Sequence, residues 1–329
     1  MEKIEVIIQH EETKDGKLIG LDITQIVNSI EVTTYLELKP GKLSLELKPV
    51  DDLDWVTEGA LITVKVDQEK LFFGYVFKYS ADEKGTCSIT AYDSLRYLQN
   101  KDTLVMKNET ASDFFKRICE GFSLKYKLVA KSPHILAKRI NDNKNYADMI
   151  AYALDKTLID TNLWYFLRDT WGVIEFLDVY EERTPVVIGD NSLLSTYSFE
   201  SSIDSDAYNQ IKLVKENKTT KRREVYMQKD STNINRWGTL QYYENVQENM
   251  NDAQIKARAA TLLEYYNKPR KTLKLPKCLG DFRIKGGRSF VLLIDKLKTK
   301  VPYNQYVICS SCTHRITNGV HIMELEVLI

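Results

Sequence analysis

From Leu43 the chain alternates apolar and polar positions in "LSLELKPV", and "ALITVKV", "LFFGYVFKYS" and "TCSITAYD" follow, with turn signals at Asp67-Gln68 and Asp82-Glu83-Lys84-Gly85. Two-residue alternation bounded by such turns predicts strands, and four in succession predict an antiparallel meander closing into a barrel or sandwich. The period changes at Thr110. In "TASDFFKRICEGF", Thr110 is a candidate N-cap with Asp113 three residues on, and Phe114, Phe115, Ile118, Cys119 and Phe122 share one helical face. A second helix, "NYADMIAYALDKTLI", starts at an Asn145 cap with Ile150, Leu154 and Leu158 inward. "LWYFLRDTWGVIEFLDV" then predicts two strands around Asp169 to Gly172.

Strand patterns resume in "TPVVIGD", "LSTYSFESS" and "NQIKLVKENKTTKRREVYMQK". The longest helical pattern, "NMNDAQIKARAATLLEYYNKP", is capped by Asn251 and ended by Pro269, with Ile255, Ala259, Leu262, Leu263 and Tyr266 on one face. Its stripe predicts packing on the last β domain and not a free coiled-coil arm. These elements imply a mainly β protein with an α+β insert: a β domain over 1–98, a small α+β domain over 99–183, and a second β domain over 184–329 with a helix at about 252–267. Gly59 and Gly287 each open the same order of strand, turn, strand, turn, strand, with "YVFKYS" in one and "YVICSS" in the other, which suggests an internal duplication.

At the C-terminal end, "YVICSSCTHRITNGVHIMEL" contains Cys309-x2-Cys312-x-His314-x6-His321, a spacing compatible with zinc or a redox dithiol. Asn318-Gly319 is a strong hairpin signal that pairs Thr317 with Val320, His314 with Met323, Cys312 with Leu325, Ser310 with Val327 and Ile308 with Ile329. Side chains three apart on a strand point to opposite faces, so Cys309 and Cys312 are expected to be separated by the sheet unless a bulge re-aims one thiol. No metal and no disulfide are expected there.

Composition narrows the picture. The 329 residues hold 46 basic and 46 acidic side chains, so no net field favours nucleic acid or anionic membrane. No stretch approaches a membrane span or a secretory signal, and five scattered cysteines do not form a disulfide framework, which fits a reducing cytoplasm.

Candidate chemistry is sparse. "GDFRIKGG" opens no helix and makes a poor phosphate loop. The acids Asp51, Asp52 and Asp54 read as a solvated turn, Asp204 and Asp206 as an accidental carboxylate pair, and Lys215, Lys218, Lys221, Arg222 and Arg223 as a hairpin tip without stacking aromatics. The expected catalytic, cofactor and metal sets are all empty.

Three segments carry a family resemblance: "LFFGYVFKYSADEKGTCSITAYDSLRYLQNKDTLVMKNETASDFFKRIC", "LWYFLRDTWGVIEFLDV" and "RWGTLQYYENVQENMNDAQIKARAATLLEYYNKPRKTLKLPKCLGDFRIKGG". In order and spacing the chain resembles the baseplate hub proteins of contractile tails, the late control D, XkdQ- and YqbQ-like family of myophages, PBSX-like prophages and R-type bacteriocins. The resemblance implies two tail-tube-like antiparallel β-barrel domains flanking the α+β domain. It also implies a homotrimer joining a trimeric spike below to a hexameric tail tube above and nucleating that tube. Its partners would be tube protein, spike protein and other baseplate components, without nucleic-acid sequence recognition or membrane insertion. The protein would be made in the bacterial cytoplasm and released in a particle, with no enzymatic activity. A receptor- or carbohydrate-binding tail protein and a cell-wall hydrolase are the alternatives.

Overall fold

The structure is a computed structural model that describes residues 3–11, 18–49, 55–67, 69–83, 85–190, 192–204, 206–217, 222–246, 250–295 and 303–329. The chain divides into two compact units, one of residues 1–154, 163–198 and 273–329, the other of residues 155–162 and 199–272.

The first unit begins with seven strands, β1 (Ile4–Glu11), β2 (Leu18–Asp22), β3 (Val27–Tyr35), β4 (Lys42–Leu47), β5 (Leu61–Val66), β6 (Glu69–Ala81) and β7 (Cys87–Tyr92), and all but the exposed β2 send side chains into one core. Their order is β2-β1-β5-β6-β7-β4-β3. Alternation places every second side chain inside, as in β5, where Ile62, Val64 and Val66 are buried between half-exposed neighbours. The expected meander holds for β5 to β7. It fails at β4, which pairs with β3 and β7 and not with its successor β5. Leu43, Leu45 and Leu47 are buried on one face of β4, and edge pairing with β5 would bury that same face, so the alternation had no power to choose the neighbour.

The α+β part comprises β8 (Lys101–Met106), α1 (Ala111–Gly121), β9 (Tyr126–Leu128), β10 (Arg139–Asn145), α2 (Tyr146–Thr161), β11 (Tyr165–Asp169) and β12 (Ile174–Asp178). Thr110 caps α1 by accepting from the Asp113 amide, and Asn145 accepts from the Asp148 amide at the start of α2. Phe114, Phe115, Ile118 and Cys119 fill the core under α1. Phe122, expected beside them, is instead 42% exposed: it follows the helix's last residue, so its direction no longer obeys the helical period.

Completing the first unit are β13 (Arg183–Gly189), the near half of β14 (Leu194–Ser202), most of β18 (Arg270–Leu279), β19 (Ser289–Ile294), β20 (Tyr303–Thr317) and β21 (Val320–Leu328). β20 is shared: it pairs with β19, β21 and β3, so both β assemblies belong to one sheet. Most pairs are antiparallel, but β13 runs parallel to β19.

The duplication suggested by the sequence is present in the backbone bonds. Gly59 and Gly287 have the same positive φ of 84°. Gly59 N–H donates to Val76 O and Val76 N–H to Ala60 O, while Gly287 N–H donates to Cys309 O and Cys309 N–H to Arg288 O. Each receiving strand then has an irregular register, between Val76 and Lys78 in β6 and between Cys309 and Ser311 in β20. Val76 therefore corresponds to Cys309, which moves the repeat two residues from the alignment of "YVFKYS" with "YVICSS".

The second unit contains β15 (Gln210–Asn217), β16 (Arg222–Lys229), α3 (Ser231–Trp237), β17 (Gln241–Val246) and α4 (Asp252–Tyr266). It does not follow the expected boundaries: residues 199–272, assigned to a single last β domain, have their own three-stranded sheet, order β16-β15-β17, and their own core. A capping box between Asn251 and Gln254 starts α4, and Ile255, Ala259 and Leu262 are buried against Ile211, Leu213 and Val246. Leu262→Ala is expected to cost about 2–5 kcal/mol because the side chain is fully enclosed. Urea unfolding followed by far-UV circular dichroism measures it, and a cost under ~0.5 kcal/mol would show the face to be loosely held.

Candidate functional site

The Cys/His stretch occupies the β20–β21 hairpin, with Asn318 (φ 53°) and Gly319 (φ 74°) in the turn. The pairs Thr317 with Val320, His314 with Met323 and Cys312 with Leu325 are as expected. Beyond them the register slips: Cys309 pairs with Val327 and Ile308 with Leu328, because Ser310 is the extra residue of a bulge and its hydroxyl donates to Glu326 O at 2.9 Å. The slip turns the Cys309 side chain inward. Cys309 and Cys312, expected on opposite faces, are both fully buried; the Cys309 thiol donates to Ser311 O at 3.2 Å.

A chain of polar atoms runs from these thiols. His314 Nε2 lies 2.8 Å from Ile284 O and must donate to it, which leaves Nδ1 to accept from His321 Nε2–H at 3.0 Å. The Cys312 thiol is 3.2 Å from His314 Nε2 and 3.5 Å from Ile284 O. Phe282 stacks on His321 with ring centroids 4.0 Å apart. Burial pushes both imidazoles down to about 4 and drives the Cys312 thiol well up, so all three groups are neutral at pH 7. All five cysteines are free thiols, and among the described residues no group of three or more His, Cys, Asp or Glu side chains is arranged to hold a metal ion. The arrangement can order a loop and exchange protons along a short chain.

That loop is "GDFRIKGG", whose glycines serve close packing. A Cβ on Gly280 would lie 2.1 Å from the His321 ring, and one on Gly286 2.4 Å from Tyr35 backbone. Beside the loop, Glu182 accepts from Arg168 at 2.7 Å and from Arg288 at 3.3 Å. Burial raises the Glu182 carboxyl, but the Arg168 hydrogen bond and the two guanidinium charges outweigh it and hold the group below its ordinary range. Lys285 is pushed down to about 8 by burial and by the like charges of Arg168 and Arg288.

A second polar cluster joins the loop before β4 to the end of β11. Asp93 accepts from the amides of Gly41 at 2.8 Å and Leu95 at 3.0 Å, while Asp169 accepts from Gly172 at 2.8 Å and Ser94 at 3.2 Å. Burial and the nearby Asp169 raise the Asp93 carboxyl well above its ordinary range, and burial raises Asp169 as well. Neither residue is a site candidate in the sequence, where Asp169 marks only the turn between two strands. "YDSL" does mark Asp93 as a cap, yet its partner lies far along the chain, which local pattern cannot reveal.

The remaining candidates stay apart. Asp51, Asp52, Asp54, Lys218 and Lys221 lie outside the described residues. Asp204 and Asp206 are exposed, and Asp206 faces Arg270 at 3.9 Å. Lys215 donates to Met250 O at 2.9 Å, and Arg223 pairs with Glu216 at 2.8 Å. A shallow depression lined by Ile4, Val27, Ile30, Ile316 and Gly319 has Lys48 as its one charged group among the described residues. No helix among the described residues is long and apolar enough to cross a membrane.

The fold and sequence can be placed among known proteins. The phage-like element PBSX protein XkdQ of Bacillus subtilis (strain 168) is 28% identical over 278 residues, covering 83% of this chain and 82% of its own. The 43 kDa tail protein of prophage MuSo2 from Shewanella oneidensis superposes with a TM-score of 0.67 at 11% identity, over 99% of this chain and 97% of its own. The E. coli c3393 protein, a type VI secretion component described as similar to the T4 tail proteins gp27 and gp5, gives 0.55 at 9% identity, over 92% and 73% of the two chains. The fold is thus that of prophage tail proteins. The profile described as YQBQ-like matches residues 30–328, nearly the whole chain, which therefore belongs to the YQBQ-like family.

Proposed function

We propose that the chain is a structural baseplate hub of a contractile tail or related injection particle, acting as a homotrimeric adapter between a trimeric spike and a hexameric tube. The observation that carries this reading is the duplicated frame, with Gly59 bonded to Val76 and Gly287 to Cys309. Two copies of one β unit per chain become six around a threefold axis, which is what a three-to-six junction requires. In this reading the hub presents a preformed ring to the first tube subunits and removes much of the freedom they would lose in nucleating one. It is made in the cytoplasm, leaves in the particle and catalyses no reaction.

Light scattering on the purified chain, alone and with its spike or tube partner, is expected to give a trimer. Electron microscopy of a lysate lacking the gene is expected to show no assembled tubes or sheaths, with complementation restoring them. Intact tails in that lysate overturn the reading. Intact tails that fail to adsorb would favour a receptor-binding role.

A further inference from the structure

The outward face of β6 bears an aromatic ribbon that the proposed adapter role does not use. Phe73, Tyr75 and Phe77 alternate outward, Phe77 lying 5.5 Å from Tyr92, and the irregularity after Val76 pairs Lys78 with outward Thr90, which brings it to the same side. The ring centroids run from Trp171 to Phe73 at 5.6 Å, Phe73 to Tyr75 at 6.2 Å, Tyr75 to Tyr97 at 5.8 Å and Tyr97 to Phe77 at 6.3 Å. At the positions of Phe73, Tyr75 and Phe77 the second repeat has Tyr306, Ile308 and Ser310, so the continuous run of rings belongs to one copy alone.

Cations line it. Lys70 Nζ lies 5.2 Å from the Trp171 ring and the Arg96 guanidinium 5.2 Å from the Phe77 ring. Lys65 is 5.9 Å from Trp171, but Glu5 neutralises it at 2.8 Å. Exposed Lys78 follows Phe77, and no described carboxylate lies within ion-pair distance of Lys70, Lys78 or Arg96.

Trp171 itself stands in an unfavourable backbone. It has φ 56° beside Gly172 at φ 79°, and Thr170 and Val173 close the two-residue turn by exchanging hydrogen bonds of 2.8 and 3.3 Å. Left-handed backbone is ordinary for Asn and costly for a bulky side chain. Nothing in the turn requires an indole. Strain of this kind collects where a side chain has a task.

We propose that this ribbon docks an extended acidic segment of another protein, its carboxylates meeting Lys70, Lys78 and Arg96 and its apolar side chains lying on the rings between them. The unpaired positive charge selects an acidic partner, and aromatic rings with arginine are the composition of strong protein contacts. Stacking of sugars or bases is disfavoured because Lys70 and Arg96 already lie over the faces of Trp171 and Phe77. The proposal stands independently of the adapter reading.

The test titrates the full chain into a fluorescein-labelled octapeptide of alternating glutamate and leucine and follows anisotropy, with the lysine–leucine counterpart and a thymidine dodecamer as separate probes. Saturable binding of the acidic peptide is expected, weakened about tenfold or more by Lys70→Glu with Arg96→Glu and by Trp171→Asn. Because Asn suits the left-handed turn, Trp171→Asn should leave the thermal midpoint unchanged or raise it, which separates loss of docking from loss of fold. No saturable binding, equal binding of the basic peptide, tighter binding of the dodecamer, or affinities of both variants within about twofold of wild type would overturn the proposal.

Discussion

Lowering the pH from 7.5 to 4.5 is expected to remove about 2–3 kcal/mol of stability through His314 alone. Its imidazole is 1% exposed, donates from Nε2 to Ile284 O and accepts at Nδ1 from His321, so a proton on Nδ1 would set two donors against each other. Its value in the folded chain is about 4, against about 6.5 when unfolded, so between those values the unfolded chain binds more protons. The stabilisation is therefore complete above about pH 6.5 and is lost as the pH falls toward 4. Asp281, Lys285, Cys312 and His321 face the same site, and His321, also near 4 but half-buried, adds a smaller loss. Asp93 and Asp169 act oppositely: their raised values mean the folded chain holds protons more tightly, so acid stabilises them. A variant isolates the imidazole from these terms. His314→Gln should be less stable than wild type at pH 7.5, with the gap shrinking by about 2 kcal/mol at pH 4.5. Parallel urea curves for the two proteins at both pH values would rule out the assignment.

Gly286→Ala is expected to cost about 3 kcal/mol or more. Its added methyl would meet the C, N and Cα of Tyr35 at 2.4 to 2.6 Å, while its amide already donates to Thr34 Oγ1 at 2.9 Å. Backbone on both sides of the contact leaves no flexible side chain to give way, and Tyr35 is itself in register with Ser311 of β20. Gly319→Ala is the control. Space is open around it but φ is +74°, so about 1 kcal/mol is expected from conformation alone. Equal costs in urea unfolding would show that the loop can back away from β3.

The sequence carried those features that depend on neighbours along the chain. The caps at Thr110, Asn145 and Asn251 and the turn at Asn318-Gly319 are local chemistry, and each appears where the residues place it. What it could not carry was set by distant partners. Ser310 looks like any strand serine, yet one inserted residue reverses the direction of Cys309. The repeat pointed to two β units but was read two residues out of step, since hydrogen bonds and not identities define it. Trp171 gave no sign beyond the turn-forming glycine after it. The independence of residues 199–272 was hidden because their alternation is the same as that of the flanking strands.

The shared strand has a consequence for biosynthesis. Thr33 and Thr313 touch through their hydroxyls across 280 positions of sequence, as do Glu31 and Arg315 through an ion pair across 284. While the chain emerges from the ribosome, β1 to β7 can be complete long before β20 exists, leaving the β3 edge with unpaired amides and carbonyls through most of translation. An unprotected edge of nine residues is a template for pairing with another nascent chain. Premature termination after β7 and before residue 303 would thus release a nearly finished β domain with an adhesive margin, and expression of such truncations is expected to yield a larger share of inclusion bodies than expression of the whole chain.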